Sequence, residues 1–321
     1  MKRPARLGPL ARAIVDGDRR ALARAITAIE NGDPAADPVL RGLYPQTRGV
    51  PVVGFTGPLG VGKSSLINAL VNLLRERGRT VAVVAVDPSS PFSGGSVLGD
   101  RIRFDRRADD AGVYFRSMAS RGAAGGVAAA TLEVARLLDA AGFDLVLVET
   151  VGSGQADVAI REIASTSIVV LVPHLGDEVQ TLKAGLFEIA DVFCVNKSDL
   201  PGADLAKRDL AELVSLGNAS GRWAPAIVGT STVDAKGLDE LWNAVEAHER
   251  YLDDSGERRA GDRRRLAKEI VGLVRDRVGR ELTDRLEHDE ELRRLLDRVV
   301  ARSLDPRAAA EKLMAEERRA R

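Results

Sequence analysis

The stretch Val50-Pro51-Val52-Val53-Gly54-Phe55-Thr56-Gly57-Pro58-Leu59-Gly60-Val61-Gly62-Lys63-Ser64-Ser65 decides the fold. An apolar run ends in glycines, and a helical pattern opens at Lys63. Within it, Gly57 to Ser64 fits the phosphate-loop pattern G-x-x-x-x-G-K-[ST], in the strand-to-helix context that the pattern requires. Three fixed residues and one two-way choice recur by chance about once in 80,000 positions. Glycines let backbone N–H groups turn inward around phosphate oxygens. Lys63 then bridges the β- and γ-phosphates, and the Ser64 hydroxyl ligates Mg²⁺. The whole loop, Gly57, Pro58, Leu59, Gly60, Val61, Gly62, Lys63, Ser64 and Ser65, is assigned to the nucleotide.

Outward from this loop, buried strands recur at Thr80–Val86, Val113–Phe115, Leu145–Val148, Ile168–Val172, Val192–Val195 and Ala226–Val228, most of them separated by helical patterns. Near-continuous apolar strands alternating with helices predict a mostly parallel sheet covered on both faces, hence a three-layer α/β domain over 49–250. Before it, residues 1–48 read as a helical extension, with Asp18 capping a helix that carries Leu22, Ala25, Ile26 and Ile29 on one face. After it, 251–321 is charge-dense and helical, with apolar stripes at Leu266, Ile270, Leu273, Val274, Val278 and onward that need a partner surface.

The chain has 321 residues, 47 basic and 47 acidic, so its net charge is zero, and 4 % of it is aromatic. No basic field or stacking platform is present for nucleic acid. No run of about 18 apolar residues exists, so no membrane span is expected. The N-terminus lacks the apolar core of a signal peptide, and the expected setting is cytoplasmic. Cys194 is the one cysteine. It lies in a strand and reads as a small core hydrophobe; no disulfide framework or multi-cysteine metal site is available. His248 and His288 lie in polar helical stretches and read as solvated; His174 reads as a loop residue.

Asn196-Lys197-Ser198-Asp199 follows a buried strand late in the domain and fits the N-K-x-D guanine-reading pattern. A carboxylate at Asp199 accepts the N1–H and 2-amino hydrogens of guanine, which adenine does not offer. A buried acceptor left unpaired costs about 1–3 kcal/mol, which disfavours ATP. Lys197 lays its stem over the base. Thr230-Ser231-Thr232, after the next strand, takes the place of the last base-contacting element, with Ser231 and Thr232 assigned to the nucleotide.

Between the phosphate loop and the base readers lie the catalytic candidates. Glu149 ends a strand and is followed by Thr150-Val151-Gly152-Ser153-Gly154-Gln155. A strand-end carboxylate with a glycine three residues on places Glu149 at the metal, through a water since it is one methylene longer than Asp, and the Gly152 N–H at the γ-phosphate. Gln155 is the candidate to orient the attacking water. Asp87 ends the second strand, and Asp100 follows in a glycine-rich stretch; both are candidates for the metal, since ligands sit at the carboxyl ends of strands in open α/β sheets. Asp100 reads equally as a plain loop acid. No arginine finger is evident, and Arg116, Arg121 and Arg161 remain unplaced candidates.

The ordered set GPLGVGKSS, VDPSSPFSGGSVLGDR, RSMASRG, ETVGSGQ, LGDEVQTLKAG and NKSD resembles the MeaB/ArgK/MMAA family of P-loop GTPases over nearly the whole chain. The resemblance implies GTP/GDP and Mg²⁺ as ligands, with metal-linked acids at Asp87, Asp100 and Glu149. It also implies a further switch at about Leu175 to Gly185, containing Lys183, that couples nucleotide to partner. The implied function is a GTPase chaperone that gates adenosylcobalamin loading and protects or reactivates an acyl-CoA mutase, foremost methylmalonyl-CoA mutase, with its adenosyltransferase as a further partner. Homodimers through the C-terminal extension are implied as well. Two other readings are a metallocentre-assembly GTPase and a transport-linked kinase or ATPase. The first lacks a Cys- or His-rich relay, and the second lacks a substrate base motif.

Overall fold

The computed structural model describes residues 7–87, 110–119, 126–150, 160–173, 188–217 and 223–320. Seven strands form one sheet in the order β3-β2-β4-β1-β5-β6-β7: β1 (Val52–Thr56), β2 (Val81–Asp87), β3 (Val113–Ala119), β4 (Leu145–Thr150), β5 (Thr166–Leu171), β6 (Val192–Val195) and β7 (Ala226–Gly229). Each neighbouring pair is parallel. The expected α/β three-layer architecture is present.

Both faces are buried, which is why the strands carry few polar residues. On one face, Ala82, Val84, Val86, Val146, Val148, Val169 and Phe193 pack under α2 (Arg19–Glu30), α3 (Ala36–Leu43), α5 (Gly126–Ala140) and α6 (Ala203–Gly217). On the other, Val53, Phe55, Val83, Leu147, Ile168 and Val170 pack under α4 (Lys63–Glu76) and α7 (Leu238–Asp254). The period-2 alternation of the strands sorts their side chains between these layers. Leu66, Ile67, Leu70 and Leu74 of α4 are at most 1 % exposed, and burial contributes about 1.5–3 kcal/mol per such side chain.

The N-terminal helices belong to the first layer. Pro9–Val15 (α1) precedes α2, whose cap is the expected one: the Asp18 carboxylate accepts from the N–H groups of Arg20 and Ala21 at 2.8 and 3.0 Å. Arg19 donates to the carbonyls of Asp110 and Ala111 ahead of β3. Buried Asp139 of α5 accepts from the backbone N–H of Arg48 and Gly49 at 2.9 and 2.8 Å. The chain divides into two compact units, Met1–Leu266 and Ala267–Arg321. The residues expected as an N-terminal extension therefore lie inside the first unit. Helix α8 (Glu257–His288) begins in that unit, and α9 (Glu290–Val300) and α10 (Pro306–Ala320) belong to the second. Among the described residues, no helix is long and apolar enough to cross a membrane.

One expectation fails. His248 is 3 % exposed rather than solvated. It sits at the amino ends of β5 and β6, where its Nδ1 is 2.8 Å from Thr166 Oγ1 and its Nε2 is 3.5 Å from Asp191 Oδ1. Trp223 and Tyr251 pack against the ring, at centroid distances of 4.9 and 6.3 Å. The surrounding helix is polar because this turn of α7 faces strand-end hydroxyls and carboxylates rather than water. Cys194, by contrast, is the expected core thiol, and burial pushes its pKa up to about 12.

Burial lowers the pKa of His248 from its ordinary 6.5, against the pull of Asp191 and Glu249; Arg161 and Arg258 add to the lowering. The folded imidazole therefore binds its proton less readily than the unfolded one. Stability from this group is complete above the ordinary value and declines as pH falls through and below it. Urea unfolding is expected to show a lower midpoint at about pH 5.5 than at about pH 7.5, with the difference reduced in His248→Gln. Identical pH dependence in both proteins would remove His248 as the cause.

Candidate active site

The register of the sheet sets the site. Phe55 on β1 lies opposite Glu149 on β4 and Ile168 on β5, so β1 and β4 both end one residue further on, while β5 continues to Leu171. The loop after Thr56 opens directly beside Glu149. Thr150 Oγ1, 2 % exposed, is 3.1 Å from Thr56 Oγ1 and 3.3 Å from the Phe55 carbonyl, tying the two strand ends together. The available signal is a hydroxyl closing each strand, β1 being apolar up to Thr56 and β4 apolar up to Glu149.

Two glycines of the loop are forced. At Gly57, φ is 139° and a Cβ would sit 2.1 Å from the Val170 carbonyl oxygen. At Gly62, φ is 92° and a Cβ would sit 2.7 Å from Asn196 Nδ2. Gly62 caps α4, so the N–H groups opening that helix face the loop, the arrangement that binds phosphate. Lys63 is 7 % exposed, and its ammonium donates to the carbonyls of Gly57 and Pro58 at 2.7 and 2.9 Å. These contacts hold a positive charge inside the loop. Leu59 and Ser65 are exposed, at the loop and on the first turn of α4.

Ser64 Oγ donates to Glu149 Oε1 at 2.7 Å. The structure thus brings together two of the residues assigned to the metal. A hydroxyl and a carboxylate held side by side are oxygen donors of the kind that Mg²⁺ takes, directly or through its waters. Glu149 is 6 % exposed. Asp87 ends β2 beside Ala119 of β3. Asp100, Gly152, Gln155, Lys183, Arg121 and His174 lie outside the described residues.

On the base-reading side, Asn196 is 1 % exposed and spans the site. Its Nδ2 donates to the Val61 carbonyl in the phosphate loop at 2.8 Å, and its Oδ1 accepts from Thr230 Oγ1 at 3.1 Å. With its proton committed to Asn196, the Thr230 hydroxyl accepts from Cys194 Sγ, 3.1 Å away. Thr230 is fully buried, and its carbonyl also accepts from the Ser198 N–H. Its place in the sequence marks only the start of the last loop, whereas its hydroxyl positions Asn196. Lys197 adopts φ 55°, an unusual conformation for a residue with a side chain, and its Nζ donates to the Gly60 carbonyl at 2.9 Å. Its stem therefore reaches back to the phosphate loop. Asp199 is exposed on the next turn, Ser231 forms a backbone bridge with Lys236, and Thr232 is half-buried.

Two of the unplaced arginines are engaged elsewhere. Arg116 of β3 pairs with Glu30 of α2 and donates to Thr27 Oγ1. Arg161 donates to the Ile189 carbonyl and to Asp191 Oδ1, both at 3.2 Å, at the amino ends of the strands. Both serve packing between elements.

A parallel three-layer sheet, a glycine-forced phosphate loop and an Asn-Lys-x-Asp turn joined to it by hydrogen bonds define a P-loop nucleotide-binding protein of the GTPase class. The chain matches the family model described as methylmalonyl Co-A mutase-associated GTPase MeaB over residues 22–287, and it belongs to that family. It is a GTPase. It is 43 % identical to a GTPase-named protein of Pyrococcus abyssi over 94 % of this chain and 93 % of the relative. It is 31 % identical to the methylmalonic aciduria type A homolog, mitochondrial, of Mus musculus, over 94 % of this chain and 77 % of that one. A crystal structure titled LAO/AO transport system kinase superposes with a TM-score of 0.67 at 26 % identity, covering 99 % of each chain.

Thr230→Val keeps the shape and leaves Asn196 Oδ1 without its donor. An orphaned buried acceptor costs about 1–3 kcal/mol, or roughly 5–150-fold in binding if the cost falls on the nucleotide-ready geometry. Calorimetric titration with GDP is expected to show affinity weakened at least about fivefold. Affinity within twofold of the parent would show that Thr230 does not position Asn196.

Proposed function

We propose that this GTPase is a chaperone of an adenosylcobalamin-dependent acyl-CoA mutase, foremost methylmalonyl-CoA mutase. It gates loading of the cofactor from the adenosyltransferase and protects or reactivates the mutase. The observation that carries this reading is the match to the mutase-associated family across residues 22–287, which takes in the phosphate loop, the base-reading turn and the segment 175–185 between them. The name of the mouse relative points the same way.

In this reading GTP lies along the loop from Gly57 to Ser65, with guanine between Lys197 and the 231–232 segment and its N1–H and 2-amino group on Asp199. Ser64 and Glu149 would hold Mg²⁺, with Asp87 and Asp100 contributing, and the ion would supply charge neutralisation at the β- and γ-phosphates. Lys63 stabilises charge that develops on the transferred phosphoryl oxygens. The Gly152 N–H reports the γ-phosphate, Gln155 orients the attacking water, and Lys183 sits on the segment that couples nucleotide state to the mutase. With Arg116 and Arg161 engaged in packing, turnover is slow until a partner completes the site.

The protein works in the cytoplasm as a homodimer through its C-terminal helices. The exposed Ile270, Val271, Leu273 and Val274 of α8 support that assembly. A metal-insertion role finds less support, because buried Cys194, with its thiol pushed up to about 12, supplies no relay thiolate. A kinase role would require ATP, which a carboxylate at Asp199 disfavours.

GTP hydrolysis by the purified protein, with and without methylmalonyl-CoA mutase and with ATP in parallel, tests the assignment. Slow GTP turnover that rises at least about tenfold with the mutase is expected, with little ATP turnover. Indifference to the mutase would overturn the partner assignment. Asp199→Ala is expected to weaken GTP binding about 10–100-fold and erase its preference over ATP; unchanged selectivity would overturn the base-reading role.

A further inference from the structure

A second polar centre lies at the far end of the sheet from the nucleotide loop, at the amino ends of β5 and β6. Asp191, 8 % exposed, is its hub. Its Oδ2 accepts from the Ser167 N–H at 2.8 Å, and its Oδ1 accepts from Arg161 Nη1 at 3.2 Å and faces His248 Nε2 at 3.5 Å. Its carbonyl accepts from the Trp223 indole at 2.8 Å. Arg161 also donates to the Ile189 carbonyl at 3.2 Å.

The chain positions of these groups carry the argument. Arg161 lies just beyond the Glu149–Gln155 stretch. Ile189 and Asp191 lie just beyond the Leu175–Gly185 stretch. The exits of both candidate switches are therefore pinned to each other by one guanidinium. The same exits are gripped by the joint between α7 and α8. Glu249 Oε1 accepts from Ser165 Oγ at 2.6 Å and from Thr166 Oγ1 at 2.5 Å. Arg258, at the start of α8, pairs with Glu249 at 2.8 Å, and Arg265 donates to the Ala164 carbonyl at 3.2 Å.

We propose that the Arg161–Asp191 pair is the positioning junction through which a nucleotide-dependent change in the two switch stretches reaches the α7–α8 joint, and so the start of the C-terminal helices. The close-packed sheet between the two ends transmits displacement rather than absorbing it. A shift of about 1 Å in either exit takes a 3.2 Å contact out of hydrogen-bonding range, so Arg161 holds both exits or neither. Most of the partners are buried, whereas the Arg161 side chain is 52 % exposed, so it can leave the pair without opening the core. The inference rests on the reading of 149–155 and 175–185 as nucleotide-responsive.

Hydrogen exchange of the full chain, read by mass spectrometry with GDP or a non-hydrolysable GTP analogue and Mg²⁺, tests it. In the parent, nucleotide-dependent protection is expected both at 175–185 and at 245–266. In Arg161→Ala the difference at 245–266 falls at least about fivefold while that at 175–185 and the GDP affinity persist, and Arg161→Lys restores part of it. Should Arg161→Ala unfold, Asp191→Asn, which keeps the acceptor for Ser167, gives the same reading. A parent difference confined to 175–185, or one at 245–266 that survives both substitutions, overturns the junction. Absence of any difference at 175–185 overturns the loop assignment, and the junction with it.

Discussion

The carboxamide of Asn196 is the contact on which the site depends. One end holds the Val61 carbonyl of the phosphate loop, and the other holds the Thr230 hydroxyl at the end of β7. Three strand-end loops, after β1, β6 and β7, are joined by one buried side chain. Burial makes the contact strict, because an amide that loses a partner where water cannot replace it pays the full desolvation cost. Gly62 is part of the same constraint: any side chain there would press on the Asn196 amide. The phosphate loop and the Asn-Lys-x-Asp turn are thus parts of one hydrogen-bonded unit.

The sheet makes that unit possible by keeping polarity at its ends. The inner strands are dry in their middles, and most of their buried polar groups lie at the two edges, whereas β3 at the rim of the sheet carries Arg116 and Ser117. At the carboxyl edge these are Thr56, Lys63, Glu149, Thr150, Asn196 and Thr230, which face the nucleotide loop. At the amino edge they are Thr166, Ser167, Asp191, His248 and Glu249, which hold α7 and the start of α8. Strand-end backbone groups have no further ladder partner, so each edge needs side chains to satisfy them. One edge is given to chemistry and the other to anchoring the helical joint.

Much of this was legible in the chain. The strands, the helix from Lys63 to Glu76 and the Asp18 cap follow from local rules: apolar periodicity, glycine punctuation and capping chemistry. The phosphate loop and the N-K-x-D turn were legible because backbone geometry demands particular residues at fixed spacing. The burial of His248 is not legible in the chain, because helical periodicity records how a face is patterned, not what lies against it. A polar turn facing buried strand ends looks the same in sequence as a polar turn facing water. Thr230 was half-read: its place in the last loop was clear, but its bond to Asn196 was not. Arg116 and Arg161 looked like candidates for phosphate chemistry until their partners were known.

The sequence by itself determined the sheet class and, through the phosphate-loop and N-K-x-D patterns, the family, since these patterns depend on residues within a few positions of one another. The tertiary structure decided what the isolated polar residues do. Asn196 meets Val61 across 135 residues, Arg116 meets Glu30 across 86, and His248 meets Thr166 across 82. No local pattern encodes such pairs. They exist because parallel crossovers bring distant strand ends level, and because a polar group sealed beneath the layers must find its partner there.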